Sequence, residues 1–227
     1  FHLYGMLFLF LRKLNNFMFS FLRKLYGKNS NRKLTDGDPM KKFLIVGLGN
    51  IGPKYANTRH NIGFKILDFL ATKAALTFES KKLGDVAVYK LKGRSFILLK
   101  PSTFMNLSGK AVRYWLEKEK IPVANLLVVT DDLNLKFGTF RIKTKGSDGG
   151  HNGLKDTQLI LNTNQYNRFR FGIGDAFSQG RQVDYVLGEW IKEEEELLPE
   201  RLEKAIEAIV SFGLAGITNT MNSFNGK

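Results

Sequence analysis

Three histidines occur in 227 residues, and two of them, His60 and His151, stand in segments crowded with glycine and asparagine. Imidazole has an ordinary pKa of about 6.5, so it can take and return a proton at neutral pH. Four segments concentrate the polar residues: GLGNIGPKYANTRHNIG (47–63), KPSTFMNLSGKAV (100–112), VVTDDLNL (128–135) and GSDGGHNGLKD (146–156). His60 is the best candidate for a general base. Asp131, at the end of an apolar run, can accept its other ring N–H, fix its tautomer and stabilise the imidazolium. Neighbouring strand residues point to opposite sides, so one of Asp131 and Asp132 is expected to face the site. Asn50, Asn106 and Asn152 offer neutral donors and acceptors, suited to holding an ester, a peptide backbone or a water without adding charge. Taken singly, each of these has a plainer reading: a structural histidine, a turn aspartate, turn asparagines.

Other chemistries find less support. With no cysteine in the chain, disulfides, thiolate zinc sites and a cysteine nucleophile are excluded. Ser102 and Ser108 sit in no G-x-S-x-G elbow. There is no H-E-x-x-H, and no metal is expected. Gly47 to Gly52 does match G-x-G-x-x-G after a strand. However, Pro53 and an Asn-Thr turn intervene before the helix, and the nearest acid, Asp68, lies inside that helix where a ribose-binding acid would need to end a second strand. The match is read as coincidence.

These residues need a scaffold, and the apolar pattern supplies one. Residues 43–48 form a short apolar run ending at glycines, a buried strand, while Ile62, Ile66 and Leu70 recur four apart as a helix face over 61–74. Strands are expected near 86–90, 96–100, 126–130, 139–143 and 169–173, and helices near 107–118, 153–161 and 199–223. That order predicts an α/β fold: a single α/β/α globular domain with a twisted mixed sheet covered by helices on both faces. The four polar segments fall at the ends of apolar runs, where open α/β sheets place their sites.

Lys+Arg number 35 against 21 Asp+Glu, a net charge of +14 that would draw in a polyanion. Residues 40–227 keep +9 of it (28 against 19). Residues 1–26 interleave aromatics and aliphatics with Arg12, Lys13, Arg23 and Lys24 and hold no acid. Their first apolar run, residues 1–11, is short of the ~20 that a membrane span needs. A basic surface helix touching a membrane and an organelle presequence remain open. The favoured reading is upstream sequence read in frame, because Met40 directly precedes the first well-formed strand. Residues 27–39 read as a linker, giving a tail and linker over 1–39 and one domain over 40–227.

In this order the four segments resemble the bacterial-type peptidyl-tRNA hydrolases, from about residue 42 to residue 224. The resemblance implies a monomeric cytoplasmic enzyme with no metal or other cofactor and no DNA partner. Its reaction would be hydrolysis of the ester between a peptide and the terminal ribose of tRNA. It makes His60 the base that activates water and Asp131 the group that keeps it basic. Asn50 would contact the peptide side, and Asn106 and Asn152 would bind substrate and position water. Tyr55 and Phe104 would line the cleft near the terminal adenosine with Met105 beside them, and Lys143 and Arg168, with Arg141 nearby, would grip acceptor-stem phosphate. Ile51 stands where the family usually has proline, Asn134 replaces an acid, and Asp148 sits among glycines. Residues 1–39 lie outside the resemblance. A non-catalytic RNA-binding relative would lack the base, and a nicotinamide enzyme would need ribose-holding groups that the sequence lacks.

Overall fold

The computed structural model describes residues 41–226. Expectations for the basic tail, the linker and the Met40 boundary lie outside the described residues. Among the described residues seven strands form one sheet: β1 (Lys42–Gly47), β2 (Glu79–Lys81), β3 (Gly84–Leu91), β4 (Arg94–Pro101), β5 (Leu126–Asp132), β6 (Phe140–Lys143) and β7 (Asn167–Gly172), in the order β2-β3-β4-β1-β5-β7-β6. The centre is parallel, with β1 between β4 and β5 and with β7 beyond β5, while the β2–β3, β3–β4 and β6–β7 pairs are antiparallel. A parallel centre is covered on both faces, which is why KFLIVG and LLVVTDD are buried along their whole length. At the β3–β4 turn, Lys92 and Gly93 both take positive φ (46° and 75°), as a tight two-residue hairpin requires.

Six helices accompany the sheet: α1 (Ile62–Lys73), α2 (Ser108–Glu119), α3 (Asn152–Leu161), α4 (Gln182–Val186), α5 (Lys192–Ala215) and α6 (Ile217–Phe224). Leu44 and Val46 of β1 join Leu126 and Val128 in a cluster with Val112, Trp115 and Leu116 of α2 and Leu154 of α3. Phe43 turns the other way, edge-on to Phe212 of α5. Alternation along one strand thus puts α2 and α3 on one face and α1 and α5 on the other. Among the described residues no helix is long and apolar enough to cross a membrane.

The expected mixed α/β sheet with helices on both faces is the architecture found. The helix expected over 199–223 is two helices. It begins at Lys192, where the Ile191 N–H donates to the Glu194 carboxylate, and it breaks at Gly216 (φ 83°). Pro199, read as a start, lies inside α5. Strand β2 and helix α4 have no counterpart among the expected elements: β2 is three exposed residues, and α4 is too short for a helical period to show.

Strand direction fixes the site. β1, β4 and β5 run parallel, so the segments after them emerge at one sheet edge. The fourth polar segment departs from that scheme. β6 is antiparallel to β7, Lys143 pairs with Arg168 near the far end, and the chain must return over residues 144–150 to bring His151 beside Thr130.

Candidate active site

His60 sits in a one-turn 3-10 helix, Arg59–Asn61, that leads into α1. Its Nδ1 lies 2.9 and 3.0 Å from the two carboxylate oxygens of Asp131 at the end of β5. A carboxylate only accepts, so Nδ1 carries the hydrogen and Nε2 keeps its lone pair. Burial works against charging the ring. The Asp131 charge and hydrogen bond outweigh it and hold the His60 pKa above its ordinary 6.5. Burial would also raise Asp131, but the His60 and His151 rings hold it well below the usual carboxylate range. The carboxylate therefore stays anionic while the imidazole accepts a proton.

The positions flanking His60 lock its segment in place. Asn61, buried, brackets the loop after β1: its Oδ1 accepts the Asn50 N–H (2.8 Å) and its Nδ2 donates to the Asn50 carbonyl (2.9 Å). Arg59, also buried, donates to the Glu189 carbonyl (2.5 Å) and the Glu194 carboxylate (2.7 Å), with its guanidinium 4.4 Å from the centre of the Tyr185 ring. Below this segment α1 packs backbone to backbone on the sheet. A Cβ on Gly63 would come within 2.5 Å of Leu48 N and O and 2.7 Å of Val129 O.

A cleft of about 1220 Å³ opens at this edge and brings together Asn50, His60, Phe104, Met105, Asn106, Asp131, Lys143, Asn152 and Arg168. The Asn50 Oδ1 accepts the Met105 N–H at 2.8 Å, which ties the loop after β1 to the loop after β4 and leaves the amide NH₂ as a donor. Asn106 and Asn152 are exposed in the cleft wall, as is Phe104, while Met105 is buried against Gly153.

The structure does not bring every expected residue to this wall. Tyr55 is not among the residues that line the cleft; it sits in the one-turn helix Pro53–Tyr55 with Lys54 over its ring. Arg141 is exposed on β6 but likewise does not line it. Arg168 does, yet it is 2% exposed and its two terminal nitrogens donate to the carbonyls of Ser147 (2.6 Å), Gly146 (2.6 Å) and Asn164 (2.9 Å). Its fork is committed to holding the 146–147 loop, and burial lowers its pKa. Both Asp131 and Asp132 border the cleft, because each stands at the strand end; Asp132 is spent on Arg170 and on the Asn134 N–H.

The sequence reading missed Arg170 and Lys145, cationic groups in the cleft wall, and Thr130, which touches His151. The spacing R-F-R (168–170) puts two arginines on one strand face, and the pattern alone does not say which one turns into the loop.

An α/β sheet whose edge holds an imidazole backed by a buried carboxylate, beside neutral amides in an open cleft, is the arrangement of a hydrolase. Residues 44–227 match the peptidyl-tRNA hydrolase family, and the chain belongs to it. It is 58% identical over 184 residues to a peptidyl-tRNA hydrolase of Azobacteroides pseudotrichonymphae, covering 81% of this chain and 99% of that protein. It is also 58% identical over 186 residues to that of Bacteroides fragilis, covering 82% of this chain and all of its relative. Among solved structures, the peptidyl-tRNA hydrolase of Acinetobacter baumannii superposes with a TM-score of 0.76 at 33% identity, over 82% of this chain and 96% of that one. The reaction is hydrolysis of the ester in peptidyl-tRNA, with release of the tRNA.

Proposed function

We propose that His60 is the general base of this hydrolysis and Asp131 its partner. The observation that carries the reading is the hydrogen bond from His60 Nδ1 to a buried carboxylate, which leaves Nε2 for the cleft. Nε2 takes a proton from water as its oxygen attacks the ester carbonyl. The tetrahedral oxyanion then collapses, the bond to the ribose oxygen breaks, and the proton on His60 passes to that oxygen. The products are a free peptide carboxyl group and a free terminal ribose hydroxyl. Asn50 donates its amide hydrogens toward the peptide side, and Asn106 and Asn152 orient water and substrate, with no added charge that would compete with His60. Phe104, half exposed at the rim, offers a flat face to the terminal base. Lys143, with Lys145, meets acceptor-stem phosphate, which fixes position without reading sequence.

The test is release of N-blocked amino acid from tRNA, with free aminoacyl-tRNA as the control. His60→Ala is expected to lower turnover by roughly two to four orders of magnitude in a folded protein. Near-normal turnover removes His60 from the mechanism.

A further inference from the structure

Asp131 receives two imidazoles, and only one of them belongs to the mechanism above. The second, His151, is the N-cap of α3: its Nδ1 accepts the backbone N–H of Gly153 (3.1 Å) and of Leu154 (3.2 Å). A ring nitrogen that accepts carries no hydrogen, so the ring proton sits on Nε2. Nε2 lies 3.0 Å from Asp131 Oδ1 and 2.6 Å from Thr130 Oγ1, both of which can accept it, and the Thr130 hydroxyl passes its own hydrogen to the Asp131 carbonyl (3.3 Å). The one ring hydrogen is shared between these two oxygens, and neither has to donate back.

Protonating Nδ1 would set an N–H against two others at the positive end of a helix, and would strip the helix of its cap. We propose that His151 is a positioning residue, set as the Nε2–H tautomer by the N-terminus of α3, that donates to Asp131 and so holds the carboxylate in place for His60. The two rings lie 5.0 Å apart and share Asp131 Oδ1, and they meet it through opposite nitrogens, His60 by Nδ1 and His151 by Nε2. The other charged groups near His151 do not disturb this. Asp132 is spent on Arg170 of β7, Asp148 accepts the Gly150 N–H, and Lys155 is exposed on the helix itself.

The same tautomer bears on a second possibility. His60, Asp131 and His151 offer ligand atoms within 4.8 Å of one another, a grouping that could hold a metal ion. With Nδ1 spent on the amides, ligation through His151 Nε2 would require an imidazolate or the loss of the cap. The donor set therefore suits a hydrogen-bond relay.

The role in catalysis rests on the reading of His60 as base; the tautomer does not, and the experiment separates them. In the full chain labelled with ¹⁵N-histidine, ring-nitrogen spectra are recorded at about pH 8, where an ordinary histidine is neutral and its two tautomers are distinguishable. Signals are assigned with H60N and H151N. His151 is expected to show a bare Nδ1 and a protonated Nε2, and His60 the reverse. A His151 that carries its proton on Nδ1 overturns the proposal. His151→Asn supplies the kinetic arm, since asparagine is as good a helix cap but has no atom where Nε2 stands. Loss of a hydrogen bond to a charged group should cut kcat by roughly ten- to hundredfold. The acidic limb of the pH–rate profile should move to higher pH, because an Asp131 with one donor fewer holds the proton on His60 more tightly. An unmoved limb with full turnover also overturns the proposal, whereas full turnover in His60→Ala with the His151 tautomer intact overturns only the reading of His60.

Discussion

Exchanging one carboxylate oxygen of Asp131 for an amide nitrogen, as in Asp131→Asn, isolates charge from shape. The oxygen that remains would still accept the His60 Nδ1–H, so the ring keeps its tautomer, but the anion that raises the His60 pKa is gone. The base acts in its neutral form, and the acidic limb of the rate profile follows its pKa. With burial unopposed that pKa falls. Asp131→Asn is therefore expected to lose about two to four orders of magnitude in turnover and to move the acidic limb to lower pH, opposite in sign to His151→Asn. A limb that stays in place gives Asp131 a purely structural part. His60, Asp131 and the three asparagines were legible as candidates because their types alone restrict what they can do. The partners that hold them were not. Nothing in the string of letters says that Asn61 closes around the backbone of Asn50, or that His151 caps a helix with one nitrogen and serves Asp131 with the other. Those depend on where backbone amides point, which is settled only by the fold.

Elements set these distances, and the tightest joint lies where α1 meets the sheet. Gly63 opens that helix three residues after His60, and a methyl group there would strike the backbone of Leu48 and Val129, which cannot move aside as a side chain would. Gly63→Ala is expected to cost about 1–3 kcal/mol of stability, measured by denaturant unfolding, with turnover falling because His60 is carried away from Asp131. An alanine variant with native stability and turnover would show that the joint yields freely. Apolar periodicity made α1, α2, α3 and the central strands legible, since buried faces repeat at 3.6 or 2 residues. It was silent on β2 and α4, which are too short or too exposed to show a period, and on the break at Gly216, where positive φ and not hydrophobicity ends the helix. Arg59, buried between Glu194 and the Tyr185 ring, binds the His60 segment to the start of α5 across more than a hundred residues, a coupling that no local pattern carries.

For the whole molecule the governing quantity is charge. The chain carries +14, and residues 40–227 carry +9 of it, so a chain that starts at Met40 keeps most of the attraction for a polyanion. Relatives that match over 184–186 residues do so over nearly their full length. We expect the Met40 chain to be soluble and fully active, measured by tRNA ester hydrolysis against the full chain; loss of folding or activity would refute this. Within the cleft the same electrostatic argument becomes specific. Lys143 presents charge at its wall, whereas the charge of Arg170 is paired with Asp132 and the donors of Arg168 are spent on three carbonyls. Neutralising Lys143 should weaken binding of whole tRNA and lower its salt dependence by about one released counterion, with turnover at saturation nearly unchanged. The loss should shrink on a fragment that carries the peptide and only the terminal nucleoside, because such a fragment has no acceptor-stem phosphate. Arg168→Ala should behave differently, harming both substrates, since it frees the loop that leads to His151 and Asn152. A kinetic comparison of tRNA and fragment across a salt series decides between these assignments: equal losses on both substrates for Lys143 would sink the phosphate contact, and a tRNA-selective loss for Arg168→Ala would return that residue to the phosphate.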